Sequence, residues 1–204
     1  EPLGNAGAVL RSLDSLPEHF FVLYGDVMLA VDLDRMGRAH LDRHSDFTPL
    51  VHPNDHPYDS DLVEADGGGW VTAIHTCPHP PGSYFANLVN AAAYVVRRDA
   101  LRPWVGAVEK QDFVKDIMQG LLDSGAAVLA YRSTEYAKDM GTPERLDKVE
   151  ADWKAGKIAI QSEYSLSPAV FLDRDGTLNE ERGFLASPND FELIPGVCPA
   201  LKSL

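Results

Sequence analysis

Cysteine is scarce in this chain, long apolar runs are missing and basic residues are outnumbered, and each shortage removes a class of protein. The two cysteines, Cys77 and Cys198, lie far apart without C-x-x-C spacing, so neither a disulfide framework nor a cysteine zinc site is indicated. A reducing, cytoplasmic setting is the expectation. No apolar stretch approaches the roughly 18 to 20 residues of a membrane-spanning helix, and Glu1-Pro2-Leu3-Gly4 carries no signal-peptide pattern. Lys and Arg number 18 against 31 Asp and Glu, a net charge of −13, which disfavours nucleic acid and anionic membranes as partners. Repeats and low-complexity tracts are missing too. What remains is 204 residues, 45% hydrophobic and 24% charged, a composition for one large globular domain or two small ones.

Short apolar runs alternate with turn residues along most of the chain. Phe20 to Tyr24, ending at Gly25-Asp26, reads as a buried parallel strand that presents a carboxylate at its end. Helical spacing covers Ala8 to Leu16 and, more weakly, Leu33 to His44. Strands are expected at 47–51, 61–66, 70–74, 87–96 and 126–131, helices at 115–123 and 144–155. The polar stretch Gln161 to Pro168 is the best domain boundary, and the strand Ala169 to Leu172 follows it. Histidines 40, 44, 52, 56, 75 and 79 invite a zinc reading, but the proline in His52-Pro53-Asn54-Asp55-His56 breaks helical ligand spacing. Zinc is not expected.

Two carboxylate constellations carry chemistry. In Phe171-Leu172-Asp173-Arg174-Asp175-Gly176-Thr177-Leu178-Asn179 an apolar approach delivers Asp173 and Asp175 at i, i+2. Asp173 is a candidate nucleophile toward phosphorus, provided that Mg²⁺ masks the phosphate charge, and Asp175 a candidate acid and base. Thr177 can hydrogen-bond the phosphate. An ordinary Asp-Gly turn is the plainer alternative. The stretch resembles the first motif of haloacid-dehalogenase (HAD) type phosphatases, and Gly183-Phe184-Leu185 with Phe191 to Val197 narrows it to the histidinol-phosphate and heptose-bisphosphate phosphatase branch. The resemblance implies an aspartyl-phosphate at Asp173 and Mg²⁺ held by Asp173 and the main-chain carbonyl of Asp175. The later motifs of that family would lie beyond Leu204.

The second constellation is spread over the longer N-terminal part. Glu1-Pro2-Leu3-Gly4-Asn5-Ala6-Gly7, Tyr24-Gly25-Asp26, Val89-Asn90-Ala91 and Tyr136 to Arg145 follow one another in that order. Together they resemble the sugar-phosphate nucleotidyltransferases. Gly4 and Gly7 would let the backbone approach a nucleobase or phosphate; Asp26 and Asp139 could converge on one Mg²⁺; Asn90 offers a donor and an acceptor to a sugar hydroxyl. Three positions depart from the family pattern: Asn5 where Thr is usual, Tyr24 where Asn is common, and Ala92 where Gly is usual. The family's Gly-rich pyrophosphate loop would lie upstream of Glu1.

The expected fold class is α/β: the Rossmann-like mixed or parallel sheet of a nucleotidyltransferase over residues 1–162, a linker at 163–168, and the opening strand and loop of a HAD-like domain at 169–204. The resemblances imply a piece of a bifunctional enzyme of nucleotide-sugar biosynthesis, with a heptose as the sugar, nucleoside triphosphate and sugar phosphate as substrates and Mg²⁺ as cofactor. Because motifs of both families would fall outside it, the 204-residue chain is expected to be inactive. The competing expectation is a non-catalytic nucleotide- or sugar-binding or assembly protein. The sequence leaves the sugar, the nucleobase and the oligomeric state open, a homo-oligomer included.

Overall fold

The computed structural model describes residues 3–54, 56–107, 110–166 and 169–203. The chain divides into two compact units, Glu1–Ser165 and Leu166–Leu204.

The first unit begins with a short helix α1 (Gly7–Arg11), strands β1 (His19–Leu23) and β2 (Val27–Ala30), and helix α2 (Leu33–Asp42). Strands β3 (Phe47–His52), β4 (Leu62–Ala65), β5 (Val71–His75) and β6 (Val89–Arg97) follow. A π-helical turn over Phe113–Met118 runs into α3 (Gln119–Asp123), then come β7 (Tyr131–Arg132), β8 (Tyr136–Asp139), α4 (Pro143–Lys154) and α5 (Lys157–Ile160). The main sheet has the order β5-β4-β6-β3-β7, with β1 also against β6. It is a mixed sheet: β3 runs parallel to β7, and β1, β3 and β4 run antiparallel to β6.

The long strand β6 explains the core. Tyr94 and Val96 point into one apolar cluster and Ala91, Ala93 and Val95 into another, the period-two alternation of a strand buried on both faces. On the first face Phe47, Tyr94 and Phe113 form a continuous aromatic stack, with ring centroids 5.1 and 5.4 Å apart. On the second face small alanines make room for Met36 of α2, and Leu50 joins them. α2 starts cleanly because the Asp32 side chain accepts a hydrogen bond from the Arg35 amide at 2.8 Å.

Several sequence expectations need correction. β1 is antiparallel, not parallel, and only half covered: Phe20 is buried whereas Phe21 and Leu23 stand exposed. A parallel strand needs cover on both faces, and β1 has it on one. The strand expected over 126–131 contracts to Tyr131–Arg132, because Val128 and Leu129 make only single bridges, to Phe47 and Trp70. Sequence reading missed β2 and β8, which form their own two-stranded antiparallel ribbon.

In the second unit the strand expected at Ala169 to Leu172 does not form. Among the described residues nothing pairs with it, and Phe171 is 95% exposed. A strand without ladder partners leaves its backbone groups to water and gains no burial. This unit is organised instead by turns around the buried Asn179, single bridges Asp175 to Asn179 and Asn179 to Leu193, and helix α6 (Val197–Ser203).

Candidate active site

The ribbon of β2 and β8 assembles the N-terminal carboxylates. Its register pairs Val27 with Asp139 and Ala30 with Tyr136, and the Met140 amide donates to the Asp26 carbonyl at 2.7 Å. Two aspartates from distant parts of the chain thereby meet at one end of the ribbon. Gly141 completes the arrangement. A Cβ there would lie 3.1 Å from Asp139 Oδ1 and 3.7 Å from Asp26 Oδ2, so both carboxylates converge on the position that a side chain would occupy. The Gly141 amide donates to Asp139 Oδ1 at 2.7 Å, which fixes that carboxylate's direction.

α4 is docked beside this pair. Thr142 caps it, accepting from the Arg145 amide at 3.3 Å, and Pro143 fills the first helical position. Buried Val149 and a hydrogen bond from the Tyr136 hydroxyl to Asp152 (3.0 Å) hold its flank against β8. Burial, then the contact with Asp152, pushes the Tyr136 phenol up, so it stays a protonated donor. This docking brings Arg145 Nη1 to 3.1 Å from Asp139 Oδ1.

A cavity of about 610 Å³ opens next to these groups, and Asn90, Asp139, Arg145 and Lys157 are among its lining residues. Asn90 is held in β6 by its amide to the Asp61 carbonyl (3.1 Å), and its Nδ2 donates to the Tyr94 hydroxyl at 3.0 Å. Its Oδ1 is buried with no protein donor among the described residues. A buried amide oxygen without a partner is costly. The following bulge places Ala92 at φ 52°.

The remaining N-terminal candidates sit apart. A Cβ at Gly4 (φ +84°) would come within 2.3 Å of the Gln111 carbonyl oxygen, and one at Gly7 within 2.2 Å of Leu3 Cβ. The close approach these glycines permit is therefore to the protein's own chain, and neither lines the cavity. Asn5, in the position where the family has Thr, ties this loop to the start of the π-helical turn: its Oδ1 accepts from the Phe113 amide at 2.9 Å and its Nδ2 donates to Asp112 at 2.6 Å. Tyr24 stacks edge-on against Tyr94 at 6.0 Å, and burial keeps both phenols protonated. Among the described residues no group of three or more His, Cys, Asp and Glu could hold a metal by itself.

In the second unit, Asp175 is engaged locally. Arg174 forks onto it with Nε at 2.8 Å and Nη2 at 2.9 Å, and Asn179 Nδ2 adds 3.0 Å. The Arg174 contact, then the one from Asn179, holds its carboxyl below the usual range. Asp173 accepts from the Arg174 amide at 2.8 Å, and the Thr177 amide donates to the Arg174 carbonyl at 3.3 Å. Among the described residues no strand delivers the pair.

The sequence model of the Nucleotidyl transferase family matches residues 1–156. The chain belongs to that family. Solved structures agree in fold: HddC from Yersinia pseudotuberculosis superposes with a TM-score of 0.61 at 21% identity, over 75% of this chain and 64% of that one. A second structure of that protein is complexed with GMP-PN. A provisionally named glucose-1-phosphate thymidylyltransferase from Bacillus anthracis, in complex with a sucrose, gives 0.62 at 14% identity over 82% of this chain and 65% of that one. The nucleotidyl transferase chain thus spans just under two thirds of these neighbours' length. No helix of the described residues is long and apolar enough to cross a membrane.

Arg145 and Gly141 lie within the Tyr136 to Arg145 motif, and their part in the site comes from the geometry. A cation in the first turn of a helix, where the macrodipole favours anions, was the readable signal for Arg145.

Proposed function

We propose that the nucleotidyl transferase part of this chain, residues 1–162, acts on a sugar 1-phosphate and a nucleoside triphosphate with Mg²⁺ held by Asp26 and Asp139. The observation that carries this is the meeting of the two carboxylates around the side-chain-free Gly141, with Asp139 among the lining residues of a cavity that Asn90 also lines. Hard carboxylate oxygens beside an open space suit a small hard cation that completes its shell with water and phosphate. When bound, that cation would supply charge neutralisation for in-line attack on the triphosphate. The chain's own residues do the rest. Asn90, among the cavity's lining residues, would orient a sugar hydroxyl with its side-chain amide, whose Nδ2 keeps a second hydrogen beyond the bond to Tyr94. Arg145 and Lys157 line the wall with positive charge, suited to phosphate oxygens.

For residues 169–204 the proposal is a HAD-type phosphatase start with Asp173 as nucleophile, Asp175 as acid and base, Thr177 at the phosphate, and Mg²⁺ shared by Asp173 and Asp175. It rests on the motif alone, and a heptose bisphosphate as its substrate rests on the same resemblance. Such a pairing would remove one phosphate from a sugar bisphosphate and activate the other.

The test is titration of the 204-residue chain with Mn²⁺ and a nucleoside triphosphate, alongside a pyrophosphate-release assay with sugar 1-phosphates. Binding lost in Asp26→Ala and Asp139→Ala supports the site, and binding unchanged in both removes it. Pyrophosphate release would exclude the alternative of a non-catalytic nucleotide- or sugar-binding protein.

A further inference from the structure

Arg145 is placed against its own helix's interest. It is the third residue of α4, after the cap Thr142, Pro143 and Glu144, and a cation there opposes the helix dipole. Nor is it needed to aim Asp139. The Gly141 amide already binds the same Oδ1 at 2.7 Å, shorter than the 3.1 Å to Arg145 Nη1. What the guanidinium does supply is charge: it stands beside Asp139 where that carboxylate and Asp26 converge with no side chain at Gly141 to separate them. Two anions sharing a site repel unless a cation lies between or beside them.

We propose that Arg145 is an internal counter-ion that holds Asp139 when no divalent cation is bound, so that cation entry and release of the guanidinium are a single exchange. This rests on the reading of Asp26 and Asp139 as cation ligands. The geometry suits exchange. Both partners are about half exposed, 44% for the Arg145 side chain and 48% for Asp139, so the ion pair is weak enough to be displaced. Arg145 also lines the cavity wall, so the freed side chain stays within the site. A dication that replaces one guanidinium charge leaves the carboxylate pair better neutralised than before.

The test is Mn²⁺ affinity, read by the electron paramagnetic resonance signal of the free ion and independent of turnover. Arg145→Gln removes the competitor and is expected to tighten Mn²⁺ binding about five-fold, the equivalent of about 1 kcal/mol. Arg145→Lys keeps the charge and is expected to stay within about two-fold of the wild type. Unchanged or weaker binding in Arg145→Gln overturns the proposal, as does equal tightening in both variants. Asp139→Asn separates the two readings. If it binds Mn²⁺ as the wild type does, the ligand assignment itself fails; if it loses binding while Arg145→Gln is unchanged, the ligand assignment stands and only the counter-ion role falls.

Discussion

Two aspartate pairs in this chain look equally purposeful as text and very different as structure. Asp173 and Asp175 are neighbours in sequence, yet both fold back onto Arg174 and no strand presents them. Asp26 and Asp139 are remote in sequence, yet the β2–β8 ribbon and Gly141 bring them together. The lesson is that a motif is only a promise of chemistry until a scaffold aims it. In the first unit the β2–β8 ribbon does the aiming, anchored by Ala137 and Leu29 in the apolar cluster on one face of the mixed sheet. In the second unit, the apolar residues of the motif's approach stay in water.

The largest expected effects probe that difference directly. Phe113 is fully buried in the aromatic stack with Tyr94 and Phe47, so Phe113→Ala is expected to cost about 3 to 5 kcal/mol in urea denaturation. Phe171→Ala, at a residue 95% exposed, is expected within about 0.5 kcal/mol of the wild type. A large loss at Phe171 would mean that the second unit is packed after all.

Next comes the metal. Asp139→Asn or Asp26→Asn is expected to weaken Mn²⁺ binding to the first unit by about 100-fold, whereas Asp173→Asn leaves that site's affinity unchanged. Equal losses from all three variants would erase the distinction between the pairs.

The third effect is a pH dependence built into the first unit. His40 on α2 is buried, with its Nδ1 2.8 Å from Thr48 Oγ1 and its Nε2 2.9 Å from His19 Nδ1. Burial pulls its pKa down to about 4; His19 and Arg97 push the same way, and Asp46 opposes. The folded protein therefore keeps His40 neutral while the unfolded chain takes up a proton near pH 6.5. Stability from this group is full above about 6.5 and falls as the pH drops toward 4. Between pH 7.5 and 5 the loss is expected to be about 2 kcal/mol. Denaturation curves at both pH values check it, and His40→Gln should flatten the slope; an unchanged slope would assign the effect elsewhere.

Much of the fold was readable where burial imposes a period. The strands around Phe47 and Val89 and the helix from Leu33 all follow the apolar spacing, because each sits on a core face. The ribbon was not readable. Val27–Ala30 and Tyr136–Asp139 are four residues each and owe their pairing to a partner across the fold. The direction of β1 was misread for a related reason: Phe20 to Tyr24 is uniformly apolar, which hides that one face is half open. For the site, Asp26, Asn90 and Asp139 were named from sequence, whereas the role of Gly141 depends on where two side chains point.

The smallest prediction turns one such hidden feature into a measurement. Ala92 sits at φ 52°, in the left-handed region, with its carbonyl accepting from the Tyr24 amide at 3.2 Å. A side chain there costs about 1 to 2 kcal/mol, and glycine returns about 0.5 to 1 kcal/mol of that through the greater freedom of the unfolded chain. Ala92→Gly is therefore expected to stabilise by about 0.5 kcal/mol. Ala91, buried and one residue earlier in the same strand at ordinary φ, supplies the internal contrast: Ala91→Gly is expected to destabilise by about 1 kcal/mol, since it loses packing and gains only unfolded-state freedom. Opposite signs at adjacent positions for the same chemical change would locate the strain at Ala92, next to Asn90, the proposed sugar-binding residue. Equal signs would mean that the bulge is relaxed and that Asn90 owes its position to the hydrogen bond with Tyr94.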